Sequence, residues 1–307
     1  MKAVRIHGYG DRPAVEDIPT PEPGPDQVLV RVEAASLNPL DLKLQQGFMH
    51  GFYPLEFPYT VGTDFAGTIE RVGSKVSGWH EGDKIVARNQ ETSGGGLAEY
   101  AVISADLLAK VPTSVPIASA AGLPTVAGTA WQALFEVAQV KPNHVVLVHG
   151  GAGGVGSFAV QYARAAGAKV IATASGPGVE IARKLGANEV VDYETTDFTQ
   201  AVSNVDFVLD TVGGETQQRS YTVLRPGGTL IATPSPPDED AARERGVNAV
   251  FVVHSSDASR LKRVVDDVDR TGTTILVDRT VALDAIDEAV AHLATGHAHG
   301  KILFAVS

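Results

Sequence analysis

A glycine-rich segment carries the clearest chemical signal in the chain. Gly151, Gly153 and Gly156 form the pattern G-x-G-x-x-G directly after an apolar run at residues 145–149. In such a pattern the first glycine permits a tight turn, the second lets the backbone approach a pyrophosphate, and the third allows close helix packing. A helix that begins here directs unpaired N–H groups at the phosphates, so the pattern predicts a dinucleotide-binding loop. The loop comprises Gly151, Ala152, Gly153, Gly154, Val155 and Gly156.

The choice of dinucleotide depends on the residues that follow the second predicted strand. Folds that take NAD usually place an acid roughly 20 residues beyond the first glycine, where it binds the ribose 2′-hydroxyl. Residues 171–176 read Ile-Ala-Thr-Ala-Ser-Gly and carry no carboxylate that would repel a 2′-phosphate. Ser175 is a candidate donor to that phosphate, although the nearest basic residues, Arg183 and Lys184, belong to the next predicted helix. The segment favours NADPH, with NADH as the alternative.

Six short apolar runs alternate with helical patterns and would position this loop. The runs are residues 145–149, 169–173, 189–191, 205–209, 229–232 and 249–253. Near-continuous apolar strands are typical of a parallel sheet that is covered on both faces. The pattern therefore predicts an α/β fold, a Rossmann-type doubly wound sheet, over residues 117–255.

The remainder of the chain predicts a second, β-rich domain. Strand patterns at residues 28–34, 65–72 and 84–87 are separated by proline- and glycine-bearing turns, which favours a compact antiparallel barrel or sandwich. After residue 256 the sequence predicts two helices and a closing strand at residues 301–306. We expect this tail to join the first domain, which would then comprise residues 1–116 and 256–307.

Composition narrows the class of protein. The 307 residues suggest two domains, and 25 basic against 36 acidic side chains give a net charge of −11. An acidic chain is a poor candidate for nonspecific binding to nucleic acid or to an anionic membrane. The absence of cysteine excludes disulfides, thiol catalysis and cysteine-based zinc sites, and it fits a reducing compartment. With no apolar run long enough to span a bilayer and no signal peptide, we expect a cytoplasmic protein.

Further motifs occur in a characteristic order along nearly the whole chain. Residues 36–43 contain N-P-x-D-x-K, residues 57–67 read F-P-Y-T-V-G-T-D-F-A-G, and residues 296–301 read G-H-A-H-G-K. Together with segments at 122–130, 205–214 and 224–228, they resemble the medium-chain dehydrogenase/reductase superfamily. The resemblance is to its zinc-free quinone oxidoreductases and the related alkenal or enone reductases. It implies a Rossmann-type domain plus a β-rich, GroES-like catalytic domain, with substrate in the cleft between them.

The resemblance also bears on metal chemistry. The catalytic zinc ligands of the superfamily's alcohol dehydrogenases would fall at Asn38, at Thr63 or Asp64, and at Thr125. These positions offer one carboxylate, whereas catalytic zinc requires three protein ligands. The resemblance therefore implies an enzyme without zinc.

Without a metal, a positioned donor must stabilise the negative charge that hydride transfer creates on an oxygen. We expect Lys43 to supply charge or a hydrogen bond, Asn38 to act as a neutral donor to the cofactor ribose or substrate oxygen, and Tyr53 to line the pocket. Solvent can protonate the resulting enolate, so a protein acid is optional. Gln45 stands where one quinone-reductase branch commonly has arginine, which favours the enone-reductase side.

The resemblance assigns further contacts to the cofactor. Besides the glycine loop, the implied cofactor-binding residues are Asn38, Thr125, Thr129, Ser175, Tyr193, Thr211, Val212, Phe251, Val253 and Lys301. The ribose and phosphates would lie near Thr129, the adenosine phosphate near Tyr193, and the nicotinamide near Phe251 and Val253. Lys301 would help to close the cofactor cleft.

Together these inferences predict an NADPH-dependent, zinc-free reductase of quinones or α,β-unsaturated carbonyl compounds. Its partner would be a small-molecule substrate, with no nucleic acid and no membrane, and the resemblance implies a homodimer. Two alternatives remain open at this point: an enoyl-thioester reductase with the same cofactor, and a non-catalytic protein that binds or senses NADPH.

Overall fold

The structure is a computed structural model, and it describes residues 1–306. The chain forms two compact units, one made of Met1–Thr125 with the chain from Ser255 onward, the other of Val126–His254. The boundaries inferred from the sequence, after residues 116 and 255, lie at nearby positions. The assignment of a catalytic role to one unit and a cofactor role to the other stays a prediction.

The strands are β1 (Lys2–Ile6), β2 (Ala14–Asp17), β3 (Gln27–Leu37), β4 (Tyr59–Thr60), β5 (Asp64–Val72), β6 (Lys84–Arg88), β7 (Tyr100–Ser104), β8 (Leu108–Lys110), β9 (Val145–Val148), β10 (Lys169–Ala174), β11 (Glu189–Asp192), β12 (Val205–Asp210), β13 (Leu224–Ala232), β14 (Asn248–Phe251), β15 (Val277–Ala282) and β16 (Lys301–Ala305). The α-helices are α1 (Pro39–Gln45), α2 (Ile117–Ala120), α3 (Pro124–Trp131), α4 (Gly154–Ala165), α5 (Pro177–Lys184), α6 (Phe198–Ala201), α7 (Gly214–Ser220), α8 (Glu239–Glu244), α9 (Ala258–Thr271) and α10 (Ile286–Ala294). Short 3₁₀ helices span Ala105–Leu107 and Leu283–Ala285, and a π-helix spans Gln132–Val137.

The second unit is built on one six-stranded parallel sheet in the order β11-β10-β9-β12-β13-β14. The chain moves outward from β9 to β11 and then returns to the other side of β9 as β12. This arrangement confirms the doubly wound α/β prediction, and its switch point lies between β9 and β12, where such sheets bind ligands. Helices α4, α5, α7 and α8 pack on the strands, so Leu147, Val208 and Leu230 are fully buried. That burial explains why these strands read as continuous apolar runs.

The first unit contains a largely antiparallel seven-stranded sheet in the order β15-β16-β3-β5-β6-β8, with β7 also paired to β3. Its long strand β3 pairs with β16, placing Ile302 opposite Leu37, which brings the end of the chain back beside its beginning. A second sheet follows the order β2-β1-β4. Phe65 and Phe304 are fully buried in the core of this unit. The β-rich prediction for this part of the chain is confirmed.

Candidate functional site

The glycine loop of the second unit lies between β9 and α4, at the switch point of the sheet. Its backbone is tied down locally, since the Gly151 N–H donates to Thr173 O at 2.9 Å and the Gly153 N–H donates to Gly150 O at 2.9 Å. A Cβ added at Gly156 would lie 2.0 Å from Gly150 O, and one added at Gly151 would lie 2.7 Å from the Ala172 methyl group. The loop therefore adopts this path only with glycine at these two positions.

The cradle is completed by the first turn of α4. Gly153 is the N-cap residue and contributes no side-chain cap to the first turn. The first N–H groups of an α-helix have no partner within the helix, and together with the helix dipole they favour an anion. A pyrophosphate is an anion of the right kind for this place. The chemistry of the cradle thus fits the diphosphate of a dinucleotide.

Ser175 and Tyr193 come together at the carboxyl ends of β10 and β11. The Ser175 hydroxyl donates to the Tyr193 hydroxyl oxygen at 2.7 Å, and the tyrosine is half exposed. Both side chains are neutral. The nearby helix α5 carries Arg183 and Lys184, each 3.8 Å from the carboxylate of Glu180. The structure therefore places a neutral hydroxyl group, rather than a carboxylate, directly after β10, and the hydroxyl of Tyr193, which follows β11, is bonded to it.

Other residues expected to contact the cofactor lie along the same edge of the sheet or on α3. Thr211 follows β12, and its hydroxyl donates to His149 O at 2.7 Å, while the neighbouring Val212 is exposed. Thr129 is buried on α3. Phe251 ends β14 and Val253 follows it, both partly exposed. Because β12 and β13 separate β14 from β9, these two residues lie roughly 14 Å from the glycine loop's strand.

A buried polar network lies beneath the loop. His149 Nδ1 lies 3.1 Å from the Thr173 hydroxyl, and Nε2 lies 2.9 Å from the Ser220 hydroxyl. Burial lowers the pKa of His149 to about 4, so the ring is neutral at physiological pH. The Thr173 oxygen also accepts the Gly150 N–H at 3.2 Å. Through Thr173, the network links the ring of His149 to Gly150, the residue just before the loop.

The first unit contains a separate buried polar cluster centred on Asn38, which is 1% exposed. Asn38 caps α1, with Pro39 as the first helical residue. Its side-chain amide is held at both ends: Nδ2 donates to Asp64 Oδ2 at 3.0 Å, and Oδ1 accepts a hydrogen bond from Lys301 Nζ. Only this orientation presents the amide donor to the carboxylate and the amide acceptor to the ammonium group.

Asp64 and Lys301 are themselves held by neighbouring groups. Thr125 donates twice to the Asp64 carboxylate, from its backbone N–H to Oδ2 at 3.1 Å and from its hydroxyl to Oδ1 at 2.8 Å. Lys301 is 3% exposed and donates a second hydrogen bond to Leu37 O at 2.8 Å. Burial lowers the pKa of Lys301, whereas Asp64 and Asp41 raise it. Lys301, expected to close a cofactor cleft, is placed by the structure where it fixes Asn38.

Asp41 is a second carboxyl group in the same cluster. Its Oδ2 accepts the backbone N–H of Asn38 at 2.7 Å, which closes the first turn of α1. Within residues 1–306, its buried Oδ1 has no hydrogen-bond partner. Burial, together with the charge of Asp64, raises the pKa of Asp41 to about 7. The group therefore holds its proton far above the usual range of an aspartate.

Arg88 and Glu91 also belong to this cluster, and neither was anticipated from the sequence. Arg88 ends β6 and is 2% exposed. It donates from Nε to the Thr125 hydroxyl at 3.0 Å, from Nη1 to the Ser256 hydroxyl at 2.7 Å and from Nη2 to Glu91 Oε1 at 2.9 Å. A buried guanidinium with this many fixed partners is unusual, because arginine is mostly exposed in proteins.

Lys43 and Tyr53 lie nearer the surface of the same unit. Lys43 is half-buried in the last turn of α1. Tyr53 follows the turn after α1 and packs against the core of the unit. Burial raises the pKa of the Tyr53 hydroxyl, and Glu91 raises it further while Arg88 lowers it. The tyrosine hydroxyl is therefore protonated at neutral pH.

Comparisons with known proteins identify the family to which this chain belongs. Residues 24–113 match the family model of the alcohol dehydrogenase GroES-like domain, and residues 185–303 match that of the zinc-binding dehydrogenases. The chain is 33% identical to the chloroplastic quinone-oxidoreductase QR1 of Triphysaria versicolor over 99% of this chain and 98% of that protein. It belongs to the medium-chain dehydrogenase/reductase family. Its relatives place it in the quinone oxidoreductase and alkenal/one oxidoreductase branch.

Two further relatives support this placement in the medium-chain dehydrogenase/reductase family. The chloroplastic NADPH-dependent alkenal/one oxidoreductase of Arabidopsis thaliana is 33% identical over 99% of this chain and 79% of that protein. The structure of the quinone oxidoreductase from Coxiella burnetii superimposes with a TM-score of 0.93 at 32% identity, covering 100% of this chain and 99% of that one. The resemblance read from the sequence motifs is therefore confirmed.

One family-model description mentions zinc, and the residues at the corresponding positions do not fit it. Asn38 and Thr125 contribute a neutral amide and a neutral hydroxyl, and both oxygens of Asp64 already accept hydrogen bonds. Arg88 Nε lies 3.9 Å from Asp64 Oδ1, so a fixed positive charge stands beside the one carboxylate. Across residues 1–306, histidine and acidic side chains form no group of three that could hold a metal ion.

Proposed function

We propose that the protein is an NADPH-dependent, zinc-free oxidoreductase that transfers hydride to quinones or α,β-unsaturated carbonyl compounds. The observation that carries the proposal is the glycine cradle before α4, at the switch point of a parallel sheet. This cradle occurs in a chain that matches relatives over nearly its whole length, and those relatives are named quinone and alkenal/one oxidoreductases. When bound, NADPH supplies the hydride.

The preference for NADPH rests on the two hydroxyl groups after β10 and β11. Ser175 and Tyr193 offer neutral donors where an NAD-specific fold usually has a carboxylate, and neutral donors tolerate a 2′-phosphate. The N–H groups of the first turn of α4, which begins at Gly154, would hold the diphosphate. The Arabidopsis thaliana relative, named as NADPH-dependent, agrees with this choice. Thr129, Thr211, Val212, Phe251 and Val253 remain proposed contacts along the length of the cofactor.

The acceptor chemistry rests on the Asn38 cluster. Reduction of a quinone or an enone develops negative charge on an oxygen, which a fixed donor stabilises. Asn38 uses one amide hydrogen to bind Asp64, so we assign its second amide hydrogen to the cofactor ribose or the substrate oxygen. Lys43 supplies positive charge nearby, and Tyr53 supplies a protonated hydroxyl to the pocket wall. The proton that completes enolate reduction comes from solvent.

The test is NADPH and NADH oxidation by the purified protein across a panel of quinones, enals and enones. We expect turnover with NADPH and with at least one of these acceptor classes. Binding of NADPH without turnover on any acceptor would refute the reductase assignment, and a clear preference for NADH would refute the cofactor assignment. Elemental analysis of the same protein is expected to give far less than one zinc per chain, with activity retained after chelation.

Two sequence-based expectations stay predictions. In the described residues, 1–306, there is no helix of sufficient length and apolar character to cross a bilayer. A cytoplasmic location agrees with the absence of cysteine and is tested by cell fractionation. The homodimer expected from the resemblance is tested by light scattering on the purified chain.

A further inference from the structure

Arg88 is a buried charge with three side-chain hydrogen bonds, and no sequence motif drew attention to it. Its three hydrogen bonds join segments that are distant in the chain. Thr125 is the last residue before the chain leaves this unit, and Ser256 is the second residue after it returns. Glu91, three residues after the end of β6, forms an ion pair with the guanidinium, with 2.9 Å between Glu91 Oε1 and Arg88 Nη2. Arg88 therefore fixes both places at which the chain leaves and re-enters the unit.

The same guanidinium acts on the Asn38 amide through two intermediates. Its Nε donates to the Thr125 hydroxyl, and that hydroxyl donates to Asp64 Oδ1. Asp64 Oδ2 in turn accepts the Asn38 Nδ2 hydrogen bond. Without Arg88, the Thr125 hydroxyl can rotate to other acceptors, and Asp64 loses the nearest guanidinium, at 3.9 Å. The Asn38 side chain then keeps Lys301 and an Asp64 carboxylate that is held only by the Thr125 backbone N–H.

The charges of the cluster support this role. Arg88 pairs with the buried carboxylates of Asp64 and Glu91, and the second buried cation, Lys301, binds the Asn38 amide oxygen. Removing Arg88 takes the guanidinium partner away from two buried carboxylates. Unpaired buried charge is strongly unfavourable, and the cluster must rearrange to relieve it.

We propose that Arg88 is a positioning residue of the proposed reductase, whose positive charge holds Asp64 and Thr125, and through them the Asn38 donor, in the arrangement that hydride transfer uses. The inference rests on the proposed function, since it assigns a role within that reaction. Arg88 does not touch substrate in this role. Its effect is on the rate of the chemical step, because misplacement of a donor by about 1 Å is enough to slow a reaction roughly 10²-fold.

The experiment compares the wild-type enzyme with Arg88→Ala and Arg88→Lys. We expect Arg88→Ala to lower kcat roughly 10²-fold while the Kd for NADPH, measured by cofactor fluorescence, stays within about twofold. Arg88→Lys retains the charge but not the planar fork of donors, so its kcat should fall between that of the wild type and that of Arg88→Ala. Arg71→Ala is the matched control, because Arg71 lies on the neighbouring strand β5, is partly exposed and pairs with Glu22.

Chemical rescue distinguishes charge from shape. Guanidinium at millimolar concentration is expected to restore part of the kcat of Arg88→Ala, whereas urea, a neutral molecule of similar shape, should not. Rescue by both compounds, or by neither, would overturn the assignment of the role to positive charge. An unchanged kcat in either Arg88 variant would overturn the positioning role itself.

Two other outcomes, a misfolded Arg88→Ala variant and an inactive wild-type protein, also bear on the proposal. If Arg88→Ala does not fold, as judged by circular dichroism and thermal melting, Arg88→Lys alone decides: a kcat equal to wild type refutes the inference, and a loss of about tenfold or more supports it. If the wild-type protein itself reduces none of the acceptors, the proposed function fails before Arg88 is tested. The two failures are therefore distinct.

Discussion

Replacement of Asp41 by asparagine should change how the stability of the protein depends on pH. The carboxyl group is buried, and its Oδ2 accepts the Asn38 backbone N–H, a bond that an asparagine side-chain oxygen can preserve. Burial and the charge of Asp64 raise the pKa of Asp41 to about 7 from an ordinary value of 3.8. The substitution thus mimics the protonated form and removes the titration.

The sign of the effect follows from proton counting. Below pH 3.8 the group is protonated in both the folded and the unfolded chain, and it makes no difference. From there to about pH 7 the folded protein holds a proton that the unfolded chain has lost, so rising pH destabilises the fold. Each pH unit in this window costs about 1.4 kcal/mol of unfolding free energy, which amounts to on the order of 4 kcal/mol overall.

The assay is urea unfolding of wild type and Asp41→Asn at several pH values from about 4 to about 8. The chain has two tryptophans, and Trp79 lies in the same unit as Asp41, whereas Trp131 lies in the other. A Trp131→Phe background therefore makes fluorescence report on the unit that contains Asp41.

The stability of Asp41→Asn relative to wild type should rise with pH and become constant above about pH 7. The exposed Asp26→Asn serves as the control for the same substitution at the surface of this unit. A relative stability of Asp41→Asn that is flat or falls across the window would refute the reasoning.

Three further predictions concern the proposed binding and catalytic residues. Gly156→Ala forces a Cβ to within 2.0 Å of Gly150 O, so NADPH binding should be lost and the melting temperature lowered, whereas Gly51→Ala, with open space around it, should leave both unchanged. Calorimetry and thermal melting check this, and normal binding by Gly156→Ala would contradict it. Ser175→Asp should weaken NADPH binding at least about tenfold by repulsion of the 2′-phosphate and leave NADH binding unchanged; equal weakening of both cofactors would indicate a steric effect instead. Lys43→Met should lower kcat roughly 10²-fold if the lysine stabilises developing charge, with the exposed Lys75→Met as control. Unchanged turnover and unchanged binding would remove Lys43 from the mechanism.

The second unit was predictable because its signals are local. The apolar run of β9, the glycines and the start of α4 are adjacent in the chain, and each reports the conformation of its own few residues. The exception is β13, which begins at Leu224 rather than near residue 229. Its Arg-Pro-Gly-Gly segment reads as a turn, yet the strand pairs with β12 on both sides of a register shift. Strand pairing overrode the local signal there.

The Asn38 cluster could be predicted only in part, because its contacts are long-range. Asn38 stood out through its motif, but Lys301 reaches it across 263 positions by the pairing of β16 with β3. Arg88 binds partners 37 and 168 positions away, Thr125 and Ser256. A lone arginine at the end of a strand gives no local indication that it will be buried, since arginine usually lies at the surface.

The residue that follows Asn38 protects its chemistry over the lifetime of the protein. Asparagine side chains deamidate to aspartate when the backbone nitrogen of the next residue attacks the side-chain carbonyl carbon and closes a succinimide ring. Pro39 supplies that nitrogen here, and it carries no hydrogen to lose, so a neutral succinimide cannot form. The proline that starts α1 thereby keeps a further carboxylate from arising beside Asp64, where the amide of Asn38 now stands.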